Sequence, residues 1–185
     1  MQTDALDALM TWVRTHYFGK YAGKVSDNVD PLNKGRLKVI VPDVFGADVG
    51  VWALPCVPYA GEGVGFKTFP EAGTNVWVEF EKGDISYPIW TGFFWGDDDM
   101  PDDAGEGANI KLWKTGAVTI KIDDEAGEIV IETEDATLTL KTTIEGKVGQ
   151  ATLTVDSGTI TADAGGKIEV GQTSVTVNSG SLVVS

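Results

Sequence analysis

The sequence predicts an all-β protein with one N-terminal helix, a small closed barrel and a long tail of short strands. Three observations lead to this prediction. Apolar residues recur at helical spacing near the N-terminus, and aromatic-rich alternating segments separated by turn residues follow them. After Lys114 the chain has no aromatic residue and no proline, yet short aliphatic alternations recur to its end.

The predicted helix lies at residues 4–17. Its apolar side chains Leu6, Leu9, Met10 and Val13 are spaced by three and four residues, which places them on one helical face. Such a face either packs on its own domain as a strut or docks on a partner protein. The sequence leaves both alternatives open.

Five segments between residues 20 and 95 have the alternation of short strands and are separated by turn residues. They are residues 21–25, 35–41, 51–54, 75–80 and 88–93. Five strands within about 75 residues are typical of a small closed barrel such as an OB-fold. The bulky core of this barrel is expected to come from Trp52, Trp77, Phe80, Trp90 and Phe93.

The tail, residues 110–185, carries one row of aliphatic side chains opposite Thr, Lys and Glu. A single row is a thin core, because aromatic side chains normally supply much of the buried area. Winding several chains together would cover both the row and the strand edges. We therefore expect a fibre-like element intertwined from several chains. Its predicted shaft core is Val118, Ile120, Ile122, Ile129, Ile131, Leu138, Leu140, Leu153, Val155, Ile160, Ile168, Val170, Val175 and Val177.

Two features of the tail stay open at this point. A small sandwich of about seven strands is the alternative to the fibre-like arrangement. The strand register is also undefined, particularly across residues 142–149, where the alternation is poor.

Charge and composition change at residues 96–109, which hold six carboxylates and no cation. We expect a solvated acidic linker, since the spacing of these carboxylates does not match a calcium-binding loop. Residues 1–95 hold 8 Lys and Arg against 11 Asp and Glu, and residues 96–185 hold 6 against 17. This acidic balance argues against nucleic-acid binding, which depends on neutralising phosphates.

The motifs at residues 23–31, 34–42, 58–65, 70–84 and 88–92 together resemble the OB domain of contractile-tail spike proteins. That family includes phage baseplate assembly protein V, the tail-associated lysozymes of large phages and the spikes of type VI secretion systems. The resemblance covers residues 20–95, with the expected β-helical tail behind it. It implies a homotrimer whose tails form an intertwined, triple-stranded β-helix. This trimer would be a structural cell-puncturing spike at the centre of a baseplate, driven into the target envelope when the sheath contracts.

The resemblance also implies partners. Only a helix precedes the barrel, so the ring-shaped hub is expected to be a separate protein that contacts Leu6, Leu9, Met10 and Val13. A cap protein of the PAAR type is expected on the blunt end. The cap contacts are expected at Leu182, Val183, Val184 and Ser185. Contact with the target membrane would be transient.

The sequence predicts no enzyme activity, no cofactor and no metal site. No lysozyme-like segment separates barrel from tail, and His16 is the sole imidazole, so neither a catalytic triad nor a His-x-His metal tip is available. Paired carboxylates such as Glu132 and Glu134 lie on an alternating strand, where solvation is the simpler interpretation. Cys56 is alone and is expected to pack as a small hydrophobe.

Two other functions are weighed against the spike. One is a receptor- or glycan-binding trimeric fibre tip, and the other is a polysaccharide-degrading β-helix. The resemblance implies assembly in the cytoplasm of the producing cell and incorporation into a virion tail or an injection particle. No hydrophobic run is long enough to span a bilayer. A phage tail, an extracellular injection system and a type VI system remain alternatives.

Overall fold

The computed structural model describes residues 2–178 and 182–184 of the chain. Strands dominate, with one long helix, one short helix and two 3-10 turns, which confirms the predicted all-β class with an N-terminal helix and a small closed barrel. The chain divides into two compact units, and the boundary lies between Asp99 and Met100.

Two helices belong to the first unit. Helix α1 spans Gln2–Thr15, with Asp4 in its first turn and Arg14 in its last turn, the polarity that the helix dipole favours. Helix α2 is a single turn, Pro42–Phe45, and begins with proline, whose fixed backbone angle suits the first helical position.

The first unit contains a closed five-stranded barrel. Its strands are β1 (Tyr21–Asp27), β2 (Leu37–Ile40), β3 (Gly50–Pro55), β6 (Asn75–Phe80) and β7 (Pro88–Phe93), and a small hairpin of β4 (Ala60–Gly61) and β5 (Val64–Gly65) lies between β3 and β6. The barrel order is β1-β2-β3-β7-β6, closed by antiparallel pairing of β6 with β1. The pairing of β3 with β7 is parallel, and the other four pairings are antiparallel.

The barrel core is mainly aliphatic rather than aromatic. The buried hydrophobic residues are Val25, Leu37, Val39, Val41, Ala53, Val76, Val78, Phe80 and Trp90. Of the five aromatic residues predicted for the core, Phe80 and Trp90 are buried, Trp52 and Trp77 are half-buried, and Phe93 is 36% exposed. Trp77 lies between the inward-facing Val76 and Val78, so the alternation of β6 turns its ring outward.

The second unit is one antiparallel sheet of ten strands. They are β8 (Ile110–Lys114), β9 (Thr119–Asp123), β10 (Glu128–Glu132), β11 (Ala136–Leu140), β12 (Ile144–Val148), β13 (Ala151–Val155), β14 (Thr159–Asp163), β15 (Lys167–Gly171), β16 (Val175–Val177) and β17 (Leu182–Val184). Each strand pairs with its neighbours in sequence, so the sheet order is the chain order. The poorly alternating region 142–149 contains a regular strand, β12.

This arrangement excludes the small sandwich, because all ten strands lie in a single sheet. The expected winding of three chains around each other concerns contacts between copies, and it stays a prediction.

The acidic region 96–109 carries local structure. The Asp99 carboxylate accepts a hydrogen bond from the Gly96 amide at 2.8 Å, and a 3-10 turn spans Asp102–Ala104. Lys114 donates to the Asp103 carboxylate at 2.7 Å, and this hydrogen bond lowers the pKa of Asp103. Some of these carboxylates therefore stabilise turns instead of being only solvated.

Candidate interaction surfaces

One side of the tail sheet, which we call the apolar face, is built from two aligned rows of residues. Directly paired residues of an antiparallel sheet lie on the same side, so the register defines each row. The first row is Ile122, Ile129, Leu140, Ile144, Val155, Ile160, Val170 and Val175. The second row is Ile120, Ile131, Leu138, Gly146, Leu153, Ala162, Ile168, Val177 and Leu182.

The side chains of the apolar face are open to solvent. Ile131 is 37% exposed, Leu153 51% and Val148 61%. Within the described residues every buried hydrophobic side chain belongs to the barrel unit, and the tail sheet has none. A soluble protein rarely leaves so long an apolar surface uncovered, and such surfaces usually mark interaction sites.

The apolar face is concave over its middle strands. It encloses a groove of about 670 Å³, whose lining includes Ile131, Leu138, Val148, Leu153 and Ile168. From β9 to β17 neither row contains a charged or hydrogen-bonding side chain, whereas β8 adds Lys111 beside Ile122 and Trp113 beside Ile120. The two rows therefore suit another apolar surface, while Thr133, Lys147 and Asp163 also contribute to the lining of the groove.

The opposite side of the sheet, which we call the polar face, carries the hydrophilic side chains. One of its rows is Lys121, Val130, Thr139, Glu145, Thr154, Thr161, Glu169 and Thr176. Lys167 pairs with Glu169 at 2.5 Å, and this contact raises the pKa of Lys167. The polar face is thus suited to remain in water while the apolar face is covered.

The structure brings together most of the predicted shaft-core residues. All of them except Val118 lie within strands on the apolar face, and Val118 directly precedes β9. Sequence reasoning missed Ile144 and Val148 of β12, which lie on the same face. The alternation of β12 is hard to recognise in the sequence because Gly146 occupies an apolar-face position and has no side chain.

Helix α1 presents a second apolar surface. Leu6 is 57% exposed, Leu9 56%, Met10 45% and Val13 58%. These side chains belong neither to the buried core of the barrel nor to the half-buried residues that pack against it. The face is available to a partner.

The segment that follows α1 is attached to the barrel. The Tyr17 amide donates to the Gly83 carbonyl at 2.8 Å, and the Tyr17 ring packs beside Phe80. The Phe18 ring lies so close to Gly83 that a Cβ there would approach it to 2.8 Å, and Gly83 also has a φ of +82°. These contacts fix where the helix leaves the barrel and require glycine at position 83.

The predicted cap-contacting residues are only partly described. Leu182 is 58% exposed and follows Val177 on the apolar face. The backbone of Val183 and Val184 completes β17, while their side chains and Ser185 lie outside the described part of the chain.

The residues considered for chemistry lie apart from one another. The His16 ring stacks on Trp12, and its Nδ1 lies 2.8 Å from the Trp12 carbonyl oxygen. Cys56 is exposed, so the expectation that it packs as a small hydrophobe is wrong. It directly follows β3, and its amide donates to the Trp90 carbonyl of β7 at 2.9 Å. Among the described side chains, no three His, Cys, Asp or Glu residues are grouped closely enough to hold a metal ion.

The described helices include none with the length and hydrophobicity that crossing a bilayer requires.

A five-stranded closed barrel with this strand order, with β3 parallel to β7, is an OB-fold. Residues 21–95 match the family described as the type VI secretion system/phage-baseplate injector OB domain, and these residues span the barrel. No curated protein matches the chain. The barrel is therefore an OB domain of the injector type, as the sequence motifs indicated, and the match is to a domain of phage baseplates and type VI secretion systems.

Proposed function

We propose that this chain is the homotrimeric central spike of a contractile injection apparatus and that it acts mechanically, without catalysis. The observation that carries the proposal is the apolar face, an exposed aliphatic surface attached to a baseplate OB domain. Self-association covers this surface by placing three such faces around one axis. The number three comes from the resemblance to contractile-tail spikes.

The energy available from covering the apolar face is large. Removing a half-exposed aliphatic side chain from water stabilises by roughly 1 kcal/mol. Summed over both rows of the face, the gain is on the order of 15 kcal/mol per chain. Association costs an estimated 4–15 kcal/mol, so the gain from hydrophobic burial is of the size needed to offset it.

The dimensions of the tail fit a membrane-piercing shaft. Nine strands, β9 to β17, at a spacing of about 4.8 Å give a length of roughly 40 Å, which exceeds the ~30 Å hydrocarbon core of a bilayer. The polar face forms the outer surface of the trimer, and its carboxylates keep the shaft soluble. Contraction of the sheath supplies the driving force.

The same proposal assigns the two ends of the spike. The exposed face of α1, with Leu6, Leu9, Met10 and Val13, docks on a separate ring-shaped hub. The end of the tail near Leu182 receives a cap protein of the PAAR type. Contact with the target membrane is transient, and no cofactor takes part.

Neighbouring residues of β10 provide the test. Ile131 lies on the apolar face, and Val130 is an aliphatic residue on the polar face of the same strand. The Ile131→Lys variant should lose the trimer, because the lysine would be buried without a counterion. The Val130→Lys variant should remain trimeric. Size-exclusion chromatography with light scattering measures both, and a wild-type chain that is monomeric at micromolar concentration would overturn the proposal.

A further inference from the structure

We infer that the barrel unit contains a binding pocket for a sugar ring that carries a negatively charged substituent. The pocket is lined by the β1–β2 loop, the end of β3 and the β4–β5 hairpin, and its volume is about 320 Å³. Its lining combines aromatic rings with an amide, a hydroxyl and an ammonium group. The inference goes beyond the mechanical spike and does not depend on the proposed trimer.

One wall of the pocket is an aromatic ring that the barrel holds in place. The Phe69 ring packs edge-on against the ring of Trp90, a core residue, with 6.0 Å between the ring centres. The Trp90 indole N–H donates to the Gly35 carbonyl at 3.1 Å. Gly35 has a φ of +74°, and a Cβ there would approach the Phe69 ring to 3.1 Å. Glycine at position 35 therefore lets the β1–β2 loop lie directly against this ring.

The hairpin contributes two further rings. Tyr59 is 58% exposed and Phe66 is 46% exposed. The Phe66 amide donates to the Tyr59 carbonyl at 2.9 Å, and the pairing of Ala60 with Gly65 continues this ladder. Backbone hydrogen bonds thus hold both rings at the pocket while their surfaces stay accessible. Aromatic faces of this kind suit a ligand with apolar faces, and the C–H faces of a sugar ring have this property.

Three hydrogen-bonding side chains line the same pocket, namely Asn33, Tyr59 and Lys67. In the described part of the chain, none of the three side chains makes a hydrogen bond or an ion pair with another residue. An amide and a phenol both donate and accept hydrogen bonds, which matches the hydroxyl groups on the edge of a sugar ring. The pocket therefore offers polar groups whose hydrogen bonds a ligand can complete.

Lys67 determines the charge of the ligand. Its ammonium nitrogen lies 5.1 Å from the centre of the Phe69 ring, and no carboxylate of the described residues neutralises it, although the chain has a net charge of −14. An ammonium group beside an aromatic wall can pair with a carboxylate or phosphate on a ring that packs against that wall. A nucleic-acid strand fits poorly, because one cation cannot neutralise successive phosphates.

The position and size of the pocket agree with this ligand class. OB-folds that bind oligosaccharides use the loop between their first two strands, and Asn33 and Gly35 lie in that loop. A volume of about 320 Å³ is at the small end of the range for ligand pockets. The pocket is thus suited to one or two sugar units and is small for a folded protein partner.

Saturation-transfer difference NMR on the full-length protein tests the inference. The probes are glucuronate, glucose 6-phosphate and glucose, which share a ring and differ in charge. We expect saturation transfer to the ring protons of the charged sugars and roughly fivefold weaker binding of glucose. The charged probe that binds more tightly identifies the natural substituent as a carboxylate or a phosphate.

Two substitutions separate the charge from the ring contact. Lys67→Met should weaken the binding of the charged sugars roughly fivefold and leave the binding of glucose unchanged. Tyr59→Ala should weaken the binding of all three probes roughly fivefold, because it removes an aromatic face. Lys24→Met is the matched control, since Lys24 is an exposed lysine of β1 outside the pocket. All three side chains are exposed, so each variant should keep the wild-type melting temperature.

The outcomes decide between a sugar site and a simple charge effect. Binding of a charged sugar that Lys67→Met and Tyr59→Ala both weaken, and Lys24→Met does not, supports the inference. Absence of saturation transfer to both charged sugars overturns it, as does equal binding of glucose. An unchanged affinity in Tyr59→Ala, or an equal loss in Lys24→Met, also overturns it by showing that charge alone attracts the probes. None of these results bears on the spike, whose oligomeric state is measured separately.

Discussion

Asp30 and Arg36 form a nearly buried ion pair across the loop between β1 and β2. The Arg36 guanidinium donates to the Asp30 carboxylate at 2.6 and 3.0 Å, and the two side chains are 17% and 4% exposed. The same carboxylate accepts the amides of Leu32 and Lys34, while the guanidinium lies 5.1 Å from the centre of the Trp52 ring. One carboxylate thus organises the loop that leads into β2.

Replacing Asp30 with asparagine should lower the melting temperature of the full-length protein by several degrees. The substitution removes the charge that pairs with Arg36 and leaves the guanidinium, which is largely shielded from water, without a counterion. Asp48→Asn is the control, because Asp48 is exposed on the neighbouring loop. Thermal unfolding followed by circular dichroism measures both, and equal melting temperatures would contradict the role assigned to Asp30.

The same ion pair predicts a pH dependence of stability. The hydrogen bond from Arg36, together with three backbone amides, holds the pKa of Asp30 well below its ordinary value of 3.8. A depressed pKa stabilises the fold above the unfolded-state pKa, and the stabilisation is lost as the pH falls below it. The difference in melting temperature between wild type and Asp30→Asn should therefore be constant from pH 7 to about 5 and shrink below pH 3.8. A difference that stays constant down to pH 2 would show that the carboxylate charge is not its source.

The sequence predicted the strands of the barrel better than it predicted their interior. The segments 75–80 and 88–93 were predicted with the observed bounds, because alternation and turn residues are local signals. The choice of core residues was less accurate, since ring size favoured Trp77 while the pleat turned it outward. The burial of Cys56 was also predicted wrongly, because residue type favoured a buried position while the fold leaves its side chain exposed.

In the tail, periodicity predicted the aliphatic row but not the strand pairing. Every strand alternates in the same way, so the pattern is compatible with pairing inside a chain or between chains. The information on pairing lies in the turns, where Asp156 and Thr133 make hydrogen bonds that only a tight reversal allows. An amphipathic face such as that of α1 likewise indicates a surface for contact without identifying the partner.

Leu37 should be among the most sensitive positions of the barrel. Its side chain is fully buried in the core, so Leu37→Ala removes apolar contacts and leaves a cavity. Such a change typically costs about 2–5 kcal/mol of unfolding free energy. Leu32→Ala is a matched control at a side chain that is 59% exposed, and its effect should be within about 0.5 kcal/mol. Denaturant unfolding followed by tryptophan fluorescence measures both, and similar losses for the two variants would contradict the assigned core.

Gly23 should not tolerate a side chain, although its backbone conformation is ordinary. A Cβ at this position would lie 2.7 Å from the Ile40 carbonyl oxygen in the paired strand. This distance is too short, and the oxygen belongs to the backbone, so it can move away only if its strand moves. Gly23→Ala should therefore push β1 and β2 apart, at a cost of about 1–3 kcal/mol. Gly116→Ala is the control, since no atom lies within 4 Å of a Cβ there. Equal unfolding free energies for the two variants would show that the strands can separate without strain.

The exposed face of α1 leads to a prediction that separates binding from folding. Leu9→Glu places a charge at the centre of that face, where docking on the hub would bury it, so binding to the hub should fall at least tenfold. Thr11→Glu introduces the same side chain on the opposite side of the helix, where it stays in water, and should bind as the wild type does. Both variants should keep the wild-type melting temperature, because the apolar side chains of α1 do not pack on the barrel core. The measurement is co-purification with the hub protein of the same apparatus, alongside thermal unfolding of each variant. If Leu9→Glu binds the hub normally, the helix is not the docking element; if it unfolds the barrel, the helix supports its own domain after all.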